Sequence, residues 1–389
     1  MKRIGLLPKL VIAIILGIMI GYVSMTANNF FVVRVLATYT SIFGGFLKYI
    51  VPFIILAFVA PGIAELGKGA GKLLGITTAI AYLSTITAGT LAFIVTAVLL
   101  GIIVDPNTTL NTTENAVNAF FDINIDPAMG VMTALVTAFL LGIGMTHIEG
   151  KSLYNMLKDF QGVIQKTIEK VIIPLLPIHI MGVFASLTAG GKAGTIISTF
   201  GKVILLIVAL QITYVLFQYF NVMIITKKNP FKALKNMLPA YFTAIGTQSS
   251  AATIPVTVKC VNNNGVSEEV NEFVTPLCAT IHLAGDTITL TLTAMVVMVM
   301  FGTVPTFSMM FPYILMLGVT MVAAPGIPGG GVMAALGLLQ GMLGFNEVQT
   351  SLMIALHFAQ DSFGTAANVT GDGAIALIIN KISKKKNKY

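Results

Sequence analysis

Long stretches without a charged residue recur along the whole chain, and this feature limits its fold more than any other. A helix that crosses a membrane needs about 20 mostly apolar residues. Uncharged stretches close to that length or longer occupy residues 10–33, 49–64, 73–104, 127–148, 171–191, 203–226, 236–258 and 287–346. Only 10% of the 389 residues are charged, whereas soluble domains have about 25%. The sequence therefore predicts an all-α integral membrane protein whose main solvent is the lipid bilayer.

The positions of the basic residues predict how these helices are oriented. Lys and Arg are concentrated on the cytoplasmic side of membrane proteins, and Lys2, Arg3 and Lys9 place the N-terminus there. Alternating crossings then put residues 105–126, which include no Lys or Arg, outside, and the basic tail 381–389 inside. The net charge of +8 is explained by this topology, so nucleic acid is not an expected partner. We predict a multi-pass protein of the cell (inner) membrane with both termini in the cytoplasm.

Two later apolar stretches are interrupted by residues that disfavour a continuous helix. Tyr241–Val258 is broken by Gly246–Ser250 and by Pro255, and Thr306–Leu343 is broken by the Pro- and Gly-rich segment Ala324–Gly331. Two cytoplasmic termini require an even number of crossings, and six clear spans precede the first of these stretches. We therefore predict eight transmembrane helices plus two re-entrant helical hairpins.

The interruptions also indicate where a solute would bind. Non-helical backbone at membrane depth is stable only against protein or a water-filled cavity, and paired interrupted segments mark the binding sites of many transporters. Each hairpin is followed by a span that we expect to be interrupted and to end in Gly-Asp, at Gly285-Asp286 and Gly371-Asp372. This correspondence predicts inverted repeats.

Three carboxylates, Asp286, Asp361 and Asp372, fall inside otherwise apolar spans. An ionisable residue at that depth is energetically costly, and it is a functional candidate for that reason. The helical repeat places Thr365, Asn368 and Asp372 on the same face as Asp361. Such a stripe could join helices, but Ser, Thr and Asn usually serve that purpose. We therefore favour a pathway for a cation or an ammonium group.

The hairpin tips do not have the patterns of an enzyme. Ser249 and Ser250 lack the GxSxG context and the suitably placed His of a hydrolase nucleophile, and Gly329–Gly331 lacks the GK[ST] ending of a phosphate loop. Broken helices instead offer free N–H groups to a carboxylate and free carbonyls to a cation. We predict a transporter, with a channel as the alternative from another class.

Four motifs in the second half of the chain resemble those of the dicarboxylate/amino acid:cation symporters, the glutamate-transporter family. They are Gln248–Pro255, Pro276–Gly285, Gly326–Gly331 and Asp361–Asp372. The resemblance implies a homotrimer with elevator-like alternating access driven by sodium. It also implies scaffold helices 1–2 in residues 1–70, transport-domain helix 3 and an external loop in 71–126, scaffold helices 4–5 in 127–198, the transport core in 199–380 and a basic tail in 381–389.

The same resemblance implies a set of binding residues. Asp361 would hold the substrate ammonium, and Asp372 would belong to one of two sodium sites, the other being formed by helix-end carbonyls. The substrate-binding positions are Gln248, Ser249, Ser250, Asp286, Ile327, Gly331, Asp361, Gly364, Thr365 and Asn368. The sodium-binding positions are Cys278, Thr280, His282, Met321, Val322, Ala324, Asn368 and Asp372.

The chain departs from the family where a third sodium site would form. The family motif Asn-Met-Asp-Gly-Thr reads His282-Leu-Ala-Gly-Asp286 here, so the Asn and the acidic side chain at Ala284 are missing. We therefore expect fewer sodium ions, with proton coupling as the alternative. His282 is either a helix-packing residue or the partner of Asp286, four residues later, in a pair that titrates or replaces the lost cation.

A second departure concerns the subsite for the substrate side chain. Gly364 stands where members that bind acidic substrates have an Arg, and Asp286 stands where they have a Thr. A substrate carboxylate would therefore meet negative charge without compensation. We predict a small neutral amino acid, serine or threonine before alanine, as in the bacterial sodium:serine/threonine branch. The alternatives are a cationic amino acid accommodated beside Gly364, an acidic amino acid or dicarboxylate, and a larger neutral substrate such as cystine.

Overall fold

A computed structural model describes residues 6–67, 72–104, 117–121, 123, 125–191, 193–324 and 328–386. The described residues form helices and connecting segments, with no strand among them. The helices are α1 (Leu6–Thr26), α2 (Phe31–Gly67), α3 (Lys72–Ile103), α4 (Val131–His147), α5 (Ser152–Thr167), α6 (Ile173–Ala189), α7 (Ala193–Thr226), α8 (Pro230–Thr247), α9 (Ser250–Asn263), α10 (Glu268–Ile281), α11 (Ala284–Met300), α12 (Phe307–Val322), α13 (Gly330–Leu343) and α14 (Glu347–Lys386). A π-helical turn, Ile168–Ile172, joins α5 to α6.

Several sequence predictions fall partly outside the described residues. These are the basic residues Lys2 and Arg3, most of the external segment 105–126, Ile327 with its neighbours at 325–326, and the end of the basic tail at 387–389.

Six described helical stretches are long and apolar enough to cross a membrane. They are Pro8–Thr26, Phe31–Glu65, Leu73–Ile103, Ser152–Ala189, Ile197–Thr226 and Glu268–Met300. Three shorter apolar helices, α4, α12 and α13, accompany them. The prediction of an all-α, multi-pass membrane protein is confirmed, and the count of eight crossings stays a prediction.

Both interrupted stretches turn back on themselves. Gln248 has a left-handed backbone (φ 53°), and the hydroxyl of Ser249 accepts a hydrogen bond from the Ala252 N–H, so α8 ends and α9 begins at this tip. We call α8–α9 hairpin 1 and α12–α13 hairpin 2, because in each case the two helices pack against each other. Pro255 lies inside α9, so the expectation that it helps to break hairpin 1 is wrong.

The two spans that we expected to end in Gly-Asp both continue beyond it, because α11 runs to Met300 and α14 to Lys386. The first is interrupted at His282-Leu283, between α10 and α11, as expected. The second is not, because α14 runs unbroken through Gly371-Asp372. Gly371 serves packing instead: a Cβ there would lie 2.7 Å from both Gln218 Oε1 and His282 Cε1. The expected interruption of the last span is therefore wrong.

Helix α14 is the central element of the second half of the chain. It contacts α7, α8, α9, α10, α11 and α13, and nearly every side chain between Ser351 and Asn380 is buried. Its polar residues therefore face protein rather than lipid. Helices α1, α2, α4, α5 and α6 pack on one another in the first half.

Close packing of α1 on α6 gives a stability prediction. A Cβ at Gly21 would lie 2.5 Å from the carbonyl oxygen of Ala185, and overpacking typically costs about 1–3 kcal/mol. We expect Gly21→Ala to lower the melting temperature of the purified protein by several degrees. In Gly162→Ala, the matched control, the Cβ meets nothing within 4 Å, and an equal loss in this control would contradict the packing explanation.

Candidate functional site

The tip of hairpin 1, hairpin 2, the break between α10 and α11 and the middle of α14 converge on one cavity. Its lining residues are Gln248, Ser250, Ala279, Leu283, Asp286, Ala324, Gly331, Asp361, Thr365 and Asn368. Most of the predicted substrate-binding residues therefore come together there. The cavity has a volume of about 20 Å³, which holds about one water molecule. The described lining residues therefore leave no room for a larger solute in this structure.

A buried histidine that the sequence analysis overlooked lies behind the cavity. His357 precedes Asp361 by one turn of α14, and its Nε2 lies 3.2 Å from Asp286 Oδ1 and 3.5 Å from Asp361 Oδ1. The imidazole is fully buried, and its nitrogens make no aligned hydrogen bond to a described residue. The sequence did contain a signal for this residue, because His357 lies four residues before Asp361 in an apolar span.

Asp286 is held by α14 as well as by His357. The Nδ2 of Asn368 donates to Asp286 Oδ2 at 2.5 Å, and the Asn368 Oδ1 accepts from the N–H of Gly285 at 2.7 Å. Asn368 therefore ties the start of α11 to α14. Hairpin 2 approaches from the other side, where a Cβ at Gly331 would lie 2.7 Å from Asp286 Oδ1.

Asp361 is closed off by the tip of hairpin 2. The N–H of Gly329 donates to Asp361 Oδ2 at 2.9 Å. Gly329 has φ +72°, and a Cβ there would overlap the ring of Phe358, so only glycine suits this position. The N–H of Gly329 thus occupies one oxygen of the carboxylate that the family resemblance assigns to a substrate ammonium.

His282 pairs with Asp372, and the alternative in which it pairs with Asp286 is wrong. The Nδ1 of His282 lies 2.9 Å from Asp372 Oδ1, and its Nε2 lies 3.0 Å from the hydroxyl of Ser84. Because His282 lies in the break between two helices (φ −116°, ψ 92°), helical spacing does not apply to it. Its ring is buried between α14 and α3, and both of its nitrogens have partners there, which agrees with the packing alternative.

Two places have the chemistry to bind a monovalent cation. Asp372 Oδ2 is buried and has no hydrogen-bond partner among the described residues. The helix ends of α10 at Thr280 and of α12 at Met321 and Val322 have the negative end of a helix dipole, and these two helices pack together. Oxygen ligands of both kinds suit a hard cation. The carbonyl of Cys278 already accepts the His282 N–H at 2.9 Å.

Two predicted substrate-binding residues lie outside the cavity lining. Ser249 caps α9. Gly364 faces α7, where an added Cβ would lie 3.5 Å from Gln211 Nε2 and from Gln360 Oε1. These two glutamine side chains hydrogen-bond to each other at 2.8 Å. They therefore limit the space beside Gly364 that we expected to be open to a larger substrate. Ile327 lies outside the described residues.

Comparison with known proteins identifies the family. Residues 6–382 match the sodium:dicarboxylate symporter family. This match covers almost the whole chain, and the chain belongs to this family of membrane transporters. The resemblance found in the motifs is confirmed.

Curated relatives of the chain include animal transporters. Excitatory amino acid transporter 1 of Homo sapiens is 34% identical over 170 residues, which are 42% of this chain and 30% of the relative. The transporter 1 of Ambystoma tigrinum is 30% identical over 264 residues, 63% of this chain and 46% of the relative. Excitatory amino acid transporter 2 of Homo sapiens is 33% identical over 164 residues, which are 42% of this chain and 28% of the relative. The chain thus spans less than half the length of each of these relatives.

The contact between Gly329 and Asp361 gives a prediction for access to the cavity. We expect Gly329→Ala to keep the tip of hairpin 2 from closing, because the added Cβ overlaps Phe358. The reporter is a cysteine at Ala279, with Cys260 and Cys278 replaced by serine. With Gly329→Ala added, this cysteine should react with a water-soluble thiol reagent at least about tenfold faster than without it. Gly344→Ala is the control, since it has a similar positive φ (+69°) but open space around the added Cβ. Equal acceleration in both variants would contradict the closed tip.

Proposed function

We propose that this protein imports a small neutral amino acid, with serine and threonine preferred, together with sodium by alternating access. The observation that carries this proposal is the charge of the closed cavity. Asp286 and Asp361 line it, and no Lys or Arg is among its described lining residues. Asp361 is left for the substrate ammonium, and no described lining residue compensates a second substrate carboxylate.

The chemistry of the remaining groups favours a hydroxylated side chain. An ionised carboxylate only accepts hydrogen bonds, and a hydroxyl both donates and accepts. Thr365 and Gln248 add polar groups to the lining. The glutamine pair beside Gly364 limits the room there and favours a short side chain.

Sodium coupling is supported by the family and by two oxygen-rich places. Asp372 offers one unpartnered buried oxygen, and the ends of α10 and α12 offer carbonyls. Ala284 contributes no acidic group, and His282 occupies the other oxygen of Asp372. We therefore propose fewer than three sodium ions per cycle. The contact of His282 with Asp372 also favours proton coupling as the second candidate.

The same family supports proposals for the architecture. We propose eight crossings with both termini in the cytoplasm of a cell (inner) membrane, and a homotrimer. The first half, apart from α3, would form the scaffold, while α3 and the helices from α7 to α14 would move as the transport domain. The packing of α3 on α11 and α12 agrees with this division.

Counterflow into proteoliposomes tests the substrate. We expect labelled serine to exchange saturably, and aspartate to compete weakly. Gly364→Arg should strengthen competition by aspartate at least about tenfold, because a guanidinium pairs with a carboxylate. Gly364→Met adds comparable length without charge and should weaken serine exchange without helping aspartate. Strong aspartate uptake by the unmodified protein would overturn the assignment, and flux without saturation would point to a channel.

Sodium binding is tested by thermal stability. A ligand that binds the folded state raises its melting temperature, so sodium should stabilise the protein relative to choline at equal ionic strength and pH. We expect Asp372→Asn to remove this stabilisation. The control Asp159→Asn changes an exposed carboxylate on α5 and should keep it. Serine uptake that persists in choline and follows a pH gradient would show that transport is coupled to protons instead of sodium.

A further inference from the structure

We propose that His357 is a specificity-determining residue whose positive charge makes the site select neutral over cationic amino acids. This inference rests on the proposed function and names how the same site chooses its substrate class. His357 does not line the cavity. It acts on the substrate through the two carboxylates in front of it.

The first step is the proximity of two like charges. One side-chain nitrogen or oxygen atom from each of Asp286, His357 and Asp361 lies within 4.8 Å of the other two. All three side chains are buried, and charges interact strongly where water is excluded. Two ionised carboxylates this close repel each other, and a cation between or behind them relieves that repulsion. The imidazole of His357 is the described group in that position.

The second step is a count of charges. With an imidazolium at His357, the three side chains carry a net charge of −1, which the α-ammonium of one neutral amino acid balances. With a neutral residue at His357, the net charge is −2. That charge is balanced by an α-ammonium together with a cationic side chain. The α-carboxylate of the substrate is common to both cases and does not distinguish them.

The third step concerns other charges around the imidazole. The titratable groups that face it are Asp286 on α11 and Asp361 on α14 itself. Hairpin 2 covers this region with α13, which has no titratable side chain. Two other buried histidines are engaged elsewhere: His179 on α6 with Ser351, and His282 with Asp372. No second described cation therefore compensates the two carboxylates.

The test compares substrates across a charge cycle. Competition by ornithine, relative to competition by unlabelled serine, is measured against labelled serine in proteoliposomes. We expect His357→Gln to shift this ratio toward ornithine at least about tenfold. The double variant Asp286→Asn/His357→Gln restores a net charge of −1 and should return the ratio toward that of the unmodified protein. His179→Gln, the matched control, removes a buried histidine outside the site and should leave the ratio within about twofold.

The pH profile separates a charge effect from a structural one. Raising the pH removes the imidazolium proton and changes the net charge from −1 to −2, so the ratio of the unmodified protein should move toward ornithine. His357→Gln should show no such change over the same range. If this variant does not fold, the pH profile of the unmodified protein still decides, and a flat profile overturns the inference.

The outcomes also separate this inference from the proposed function. A ratio that His357→Gln leaves unchanged, while serine exchange persists, overturns the role of His357 alone. So does a double variant that stays selective for ornithine. Preferential ornithine uptake by the unmodified protein would overturn both the inference and the substrate assignment. Uptake of another neutral amino acid in place of serine would overturn only the named substrate. The same variants would then be compared by competition between ornithine and that amino acid.

Discussion

The burial of carboxylates at membrane depth is the constraint on which the rest of the structure depends. Asp286, Asp361 and Asp372 are fully enclosed, and a buried charge is tolerated only when it is paired and hydrogen-bonded. His357 lies against the first two, and His282 contacts the third. Helix α14 is surrounded by other helices. Both hairpins end beside Asp286 and Asp361 and shield these carboxylates from solvent.

Glycine residues permit the close approaches that this arrangement requires. Gly331 brings hairpin 2 against Asp286, and Gly329 lets a backbone N–H reach Asp361. Gly371 leaves room for His282 and Gln218 beside Asp372. Each of these contacts is made by a hairpin or by a neighbouring helix. Movement of hairpin 2 would therefore change the hydrogen bonding of Asp361 directly.

Local pattern allowed much of the fold and of the candidate site to be predicted. Uncharged length indicated the membrane helices, and dense Gly and Pro indicated both hairpins, because these effects act within a few residues. Four ordered motifs indicated the family. Pro255 and Gly371 were misjudged, since each residue has more than one structural use: the first lies inside α9, and the second provides room for packing.

The sequence by itself determined the class of protein, the two hairpins and the identity of the intramembrane carboxylates. Only the tertiary structure decided which residue compensates each of them. Helical spacing offered Asp286 as one possible partner of His282, but the chain is not helical at that point, and its ring meets Asp372. His357 and Asp286 are far apart in sequence and lie on different helices. Pairing between distant segments depends on how helices pack, which periodicity along one helix does not specify.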